Sequence, residues 1–453
     1  MTPRLAPATA QRRFVRVTFL FWFPIGLYIP SQVLLLTERG MGLEAVGALF
    51  AVHSFTVAAL ELPTGGLSDV LGRRGVLAAA GALLAGALTL LALGTGFSTF
   101  VAAMLLAGTA RALASGPAEA WYVDTVQAHV SSDAGAGDLA SELRVGLARG
   151  STALALALAA GTSCGGAVPW LLGLGPDLGT RLVDLTGGAV IPLAVPMLLG
   201  AVVQVVYLLH VAFALPEPPR APVTFGEVLR GVPVTVRRGL RLGVGDALVR
   251  RLLLSAGAAG AALVTVELLT PGRAAAVAGT PASGALLFAG LACAGFASTA
   301  AGSALAPRIA GMLGGSEVRA VRAGILTSAA GLLLLGATAS WGGWTSPALA
   351  AVGYGLMYVG IGASGPNKNA LLHRRVDSAG RATALSFQSL SLQGAGALAG
   401  PGAAELPRGP LPWVLAAGLL LVAAGLWTGR RVPVPPARPA PGSRDVSGRP
   451  TPR

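Results

Sequence analysis

The sequence predicts an all-α membrane protein, with twelve transmembrane helices in two sets of six, and three observations carry that reading. Apolar residues make up 53% of the chain and charged residues 11%, with a mean hydropathy of +0.69. The apolar residues gather in runs near the roughly 20 residues that carry a helix across the hydrocarbon core of a bilayer. Short polar stretches separate the runs, and basic residues are concentrated in alternate ones. A length of 453 residues would otherwise suit two or three soluble domains; the composition overrides that expectation.

In order, residues 1–13 form a basic N-terminal segment with Arg4, Arg12 and Arg13. The apolar run that follows is too long for a signal h-region and no A-x-A site comes after it, so it is a first membrane helix. Spans are expected at 14–36, 44–64, 75–93, 97–122, 143–172 and 190–215, which gives a first bundle over 14–215. Residues 216–246 read as a polar, basic linker on the inner side. Within it Arg230, Arg237, Arg238 and Arg241 alternate with Val and Leu around Pro233, which suits either a segment lying on an anionic leaflet or a solvated connection. The second bundle, 247–429, holds spans at 247–270, 283–306, 321–341, 346–365, 382–404 and 411–428. The Pro/Arg-rich tail, 430–453, reads as disordered.

With the N-terminus inside, 28 of the 33 Lys and Arg fall in inner segments or at the inner ends of the spans beside them, four (Arg39, Arg181, Arg273, Arg408) in outer loops, and Arg111 deeper within a span. That bias sets the orientation of a multi-pass protein in the cell membrane with both termini cytoplasmic. The net charge of +14 does not indicate nucleic acid, because the arginines punctuate apolar runs and do not cluster with aromatics. Lys368 is the only lysine. Cys164 and Cys293 lie inside apolar runs in opposite halves and read as small apolar residues, with no disulfide and no metal site expected. No Walker-type loop is present, and the four histidines (His53, His129, His210, His373) are scattered with no Ser/His/acid set placed to meet. No catalytic residue, enzyme activity or cofactor is therefore expected.

The most informative stretch connects spans two and three: Gly65-Gly66-Leu67-Ser68-Asp69-Val70-Leu71-Gly72-Arg73-Arg74. Glycines permit a tight turn, and Asp69 and Arg73, four apart, face each other on one helical turn. Such a cluster forms a latch that holds a bundle in one state and breaks in another; the competing reading makes Arg73 and Arg74 simple positive-inside anchors. The stretch resembles the signature of the major facilitator superfamily of secondary transporters, G-x-L-A-D-x-x-G-R-R between the second and third membrane helices, with Ser68 in place of the alanine. The resemblance implies two six-helix bundles with substrate handled where they meet. Its echo between spans eight and nine, 302–315, keeps Pro307 and Arg308 without an acid, so the latch is expected in the first half alone. The resemblance further pairs Asp124 with the loop arginine, and the start of span eleven is the natural acceptor for Asp69.

Ionisable groups inside spans are functional candidates by default. Arg111 must point into the bundle, and Arg111-Ala-Leu-Ala-Ser-Gly116 is similar to the fourth-helix motif whose arginine the resemblance implicates in proton coupling. Glu119 reads equally as a second partner of the latch or as a protonatable group facing the cavity. Glu61 either neutralises Arg111 or joins the latch, while Glu267 either lines the outer vestibule or sits at the interface. Trp22, Tyr28, Gln32, Tyr354, Met357 and Tyr358 complete the expected cavity; few charges and several aromatics suit an apolar or weakly cationic ligand. Glycines 161, 165 and 166 in span five, and 394, 396, 400 and 402 in span eleven, read as close helix crossings. The Gly-Pro pair that drug–proton antiporters carry in span five stands here in span eleven, as Gly400-Pro401.

The expected function is proton-coupled efflux of small, largely apolar compounds by alternating access, with the bilayer, a small-molecule substrate and protons as partners and the monomer as working unit. The alternatives are an importer or facilitator of a nutrient, and a membrane sensor or assembly partner that does not transport.

Overall fold

A computed structural model describes residues 5–65, 67–130, 136–174, 178–217, 225–341, 345–375 and 378–428. The expected disordered tail at 430–453 lies outside them, as do Gly66 and the side chains of Asp69, Arg238 and His373.

The first half contains α1 (Pro7–Tyr28), α2 (Gln32–Glu38), α3 (Leu43–Gly65), α4 (Leu67–Leu71), α5 (Arg73–Leu93), α6 (Phe97–Ala114), α7 (Pro117–Val130), α8 (Ala136–Gly173), α9 (Leu178–Leu185) and α10 (Val195–Ala214). The linker carries α11 (Phe225–Gly245). The second half contains α12 (Ala247–Ala278), α13 (Pro281–Met312), α14 (Glu317–Ala339), α15 (Thr345–Arg375), α16 (Ser378–Glu405) and α17 (Leu411–Gly425). Nine stretches of described helix are long and apolar enough to cross a membrane, and the bent pair α1–α2 makes ten. The other two expected spans are α17, apolar but 15 residues long, and α16, which is diluted by Ser386, Gln388, Ser389, Ser391 and Gln393.

Three elements differ from the sequence expectation. The first span bends by 42° between α1 and α2, where Pro30 offers no N–H to the turn before it. The fourth breaks at Ser115-Gly116, with Gly116 at φ +94° and Pro117 opening α7. The linker is mostly a helix, with Pro233 inside it.

Helix pairing repeats between the halves. Spans one and five, two and four, three and six, and three and four pack together in the first half as α1–α8, α3–α6, α5–α10 and α5–α6. The corresponding pairs of the second half are α12–α16, α13–α15, α14–α17 and α14–α15. Each half builds its own core, the first around Phe14, Phe21, Phe100, Trp121 and Tyr207, the second around Phe288, Tyr354, Met357 and Trp413. The halves meet through two related pairs, α3–α16 and α8–α13. Twelve spans return the chain to its starting side; the face carrying the termini is termed proximal and the opposite face distal.

Candidate functional site: a cavity between two halves

At the proximal face of the first half, α5 begins at Gly72, whose φ of +87° is left-handed and favours glycine. That turn sends Arg73 toward α7, where its Nε donates to Asp124 Oδ2 at 2.7 Å while Nη1 donates to Ser68 Oγ at 3.1 Å. Glu217, just after the sixth span, accepts the backbone N–H groups of Arg73 and Arg74 at 2.8 and 3.1 Å. A carboxylate on the first free amides of a helix satisfies donors that have no intrahelical partner and complements the positive helix end. The structure thus brings together Arg73 and Asp124, and adds Glu217. Arg74 is exposed, and Gly65 closes α3.

The expectation of a one-sided cluster is corrected. The second half places Glu317, at the start of α14, against Arg374, at the end of α15. Those helices correspond to α5 and α7, so the pair repeats with its signs exchanged. The missing acid lies only two residues beyond the 302–315 echo. Beside it, Arg375 Nε donates to Asp246 Oδ2 at 2.7 Å, and Asp246 caps α12 by accepting from Leu248 N and Val249 N at 2.8 and 3.2 Å. Burial pushes the Asp246 carboxyl up, but the hydrogen bonds from Arg375 and the two amides outweigh it and hold it below the ordinary aspartate value.

Deeper in the first half, Arg111 lies in the last turn of α6 with its guanidinium 4.5 Å from the centre of the Trp22 ring. A desolvated cation over an indole face gains about 2 kcal/mol. Tyr28 and Glu61 are within electrostatic reach of Arg111. Glu61 accepts a 2.7 Å hydrogen bond from Ser389 Oγ of α16, so this acid is tied across the two halves. Glu119 is exposed in the first turn of α7, where it complements the helix end.

A cavity of about 290 Å³ lies between the halves. Tyr28, Ile29 and Gln32 from the α1–α2 bend, Phe50 and His53 from α3, and Met104 from α6 line one side. Glu267 and Phe288, with Leu392 and Gln393 of α16, line the other. Of the expected cavity residues, Tyr28, Gln32 and Glu267 line it. Gln32 Nε2 also reaches Met104 Sδ at 3.8 Å. Trp22, Tyr354, Met357 and Tyr358 do not line it. Trp22 lies under Arg111, Tyr354 and Tyr358 pack against each other at a tilt of 37° with ring centres 4.9 Å apart, and Met357 is fully buried in the second core. Both tyrosines remain within electrostatic reach of Glu267. No group of three or more His, Cys, Asp or Glu suited to a metal occurs among the described residues.

Glu217, Ser389, Gln393 and the pairs at Glu317 and Asp246 belong to no motif that the sequence alone singles out. Ser389 and Gln393 are four apart on α16, a spacing that puts two polar groups on one face of an otherwise small-residue helix. That spacing is the signal through which they are legible.

Comparison with known proteins gives no match to any family model or curated protein. Among solved structures the chain is similar to the nucleoside transporter NupG, with 13% identity, a TM-score of 0.67, and coverage of 92% of this chain and 98% of that one. It is similar to a D-xylose–proton symporter at 17% identity and TM-score 0.64, covering 93% and 97%. It is also similar to a bacterial homolog of the human lysosomal transporter Spinster, in an inward-facing and unoccupied conformation, at 14% identity and TM-score 0.68, covering 94% and 97%. The chain shares the all-α, two-bundle fold of these transporters.

Proposed function

We propose that the chain is a secondary transporter of the major facilitator superfamily in the cell membrane, with both termini cytoplasmic. It exports small, largely apolar compounds by alternating access, with protons as the coupling ion and the monomer as working unit. The observation that carries this reading is the cavity between the halves, lined from both and flanked by a hydrogen bond, Glu61–Ser389, that crosses between them.

In the proposed cycle solute enters the cavity while one face is open. The halves then rock, and solute leaves at the other face. Protonation of Glu61 removes the charge that faces Arg111 and weakens the acceptor for Ser389, so proton binding biases the equilibrium between the two arrangements. The Arg73–Asp124 pair and its sign-exchanged counterpart at Glu317–Arg374 serve as the proximal latches, with Asp69, Gly65, Gly72 and Arg74 shaping the first of them. In this scheme Glu61, which faces Arg111 and is bonded across the halves, carries the protonation step and the exposed Glu119 does not.

A second reading, proton-coupled uptake, is supported by the printed description of one structural neighbour as a D-xylose–proton symporter. One experiment separates them. The full chain is reconstituted in liposomes, and exchange of a panel of small neutral, cationic and anionic aromatic solutes is followed with and without an imposed pH gradient. Movement of solute against the inward proton flux is expected, with Glu61→Gln and Arg111→Ala retaining exchange but losing acceleration by the gradient. Movement with the proton flux selects uptake. Absence of exchange for the whole panel, or wild-type acceleration in both variants, overturns the mechanism.

A further inference from the structure

We propose that the cavity between the halves receives a small organic monocation, an ammonium group on an apolar body, with Glu267 as its counter-charge. This rests on the transporter reading and specifies the substrate class.

Among the described residues Glu267 is the one carboxylate lining the cavity, and no arginine or lysine of those residues lines it. Among the described residues its carboxylate has no ion-pair or hydrogen-bond partner, and it is open to the cavity space. Arg111, the cation placed deepest in the first half, is committed to the Trp22 ring and to the side facing Glu61, and does not line the cavity. A carboxylate that faces a narrow cavity with no lining cation gives that space a negative potential, which favours a cationic solute.

Tyr28, Phe50 and Phe288 supply ring faces to an ammonium. The remaining polar groups, Gln32, Gln393, Ser54 and His53, are too few for a polyhydroxylated solute, and an anion would face Glu267. A volume of about 290 Å³ lies at the small end of ligand pockets, which run from roughly 300 to 1,000 Å³, so the body is a single ring or a short chain.

The test uses full-length protein in detergent, with thermal shift as the binding readout. The probes are phenyltrimethylammonium, neutral acetophenone and anionic benzoate, applied to wild type, Glu267→Gln and Glu267→Asp. The cation is expected to bind wild type at least about tenfold more tightly than either other probe. Removal of one partner of a desolvated charge pair should erase that preference in Glu267→Gln, while Glu267→Asp keeps part of it. Equal binding of cation and neutral probe by wild type, or an undiminished preference in Glu267→Gln, overturns the proposal. If Glu267→Gln fails to fold, the wild-type comparison still decides. Exchange of neutral or anionic solutes without cation binding removes this proposal and leaves transport standing; cation binding without exchange of any solute does the reverse.

Discussion

Asp246 performs two tasks with one carboxylate. One oxygen caps α12 on two backbone amides, and the other receives Arg375 from α15. Because these bonds hold its pKa below the ordinary value, the native state favours the ionised form. Its contribution is therefore fully present above the unfolded aspartate pKa of about 3.9 and is lost as pH falls through the lower folded value. Asp246→Asn keeps a cap acceptor but removes the charge. Wild type should melt above this variant at neutral pH, and the gap should narrow below about pH 4; a gap independent of pH between 7 and 3 would contradict the pairing. At this scale the sequence is uneven to read. An aspartate directly before an apolar run is a recognisable cap signal, but its arginine lies 129 positions away and nothing local announces it. Ser389 meets Glu61 across 328 positions, with the same result. Arg73 and Asp124 were legible because a local motif carried the resemblance.

Hydropathy finds the helices and their order, because burial in lipid demands long apolar runs whatever the packing. It cannot find where a helix bends inside an apolar run. Pro30 and the Gly116-Pro117 pair are breakers, yet apolar residues continue on both sides and the runs read as single spans. The glycines of α16 show the converse, being legible as a group and not as individuals. A Cβ at Gly47 of α3 would lie 2.8 Å from the Gly400 carbonyl oxygen and 3.2 Å from Ala404 Cβ, so the two helices touch through their backbones. At Gly402, two residues on, a Cβ would meet nothing within 4 Å. Gly47→Val should therefore push α3 from α16 at the distal end, whereas Gly402→Val should not. With Cys164 and Cys293 replaced by serine, spin labels at the exposed Glu38 and Arg408 should report a longer distance in Gly47→Val alone. An equal distance in all three proteins would mean that the halves are not held by this contact.

The two inter-half pairs, α3–α16 and α8–α13, are related by the same repeat that relates the bundles, so motion at one should accompany motion at the other. At α8–α13 the contact includes Ser163 Oγ and Cys293 Sγ, 3.3 Å apart, and Cys293 Sγ also faces the Ala159 carbonyl at 3.5 Å. Nearby, a Cβ on Gly166 would lie 2.7 Å from the Ala285 carbonyl oxygen, so the backbones here are close enough for a covalent staple. A disulfide needs its sulfurs about 2 Å apart, and from an Oγ–Sγ approach of 3.3 Å side-chain rotations close the remaining gap. In a Cys164→Ser background, Ser163→Cys should oxidise onto Cys293 and join the halves. Alternating access requires these helices to part or slide once per cycle, by amounts that a bond between them does not allow. Solute exchange should therefore fall to background on oxidation and return with reductant, while the reduced variant exchanges like its parent. Full exchange by the oxidised protein, with the bond verified by mass spectrometry, would mean that solute crosses without the halves separating at α8–α13, and the rocking of two rigid bundles would have to be replaced by movement within one of them.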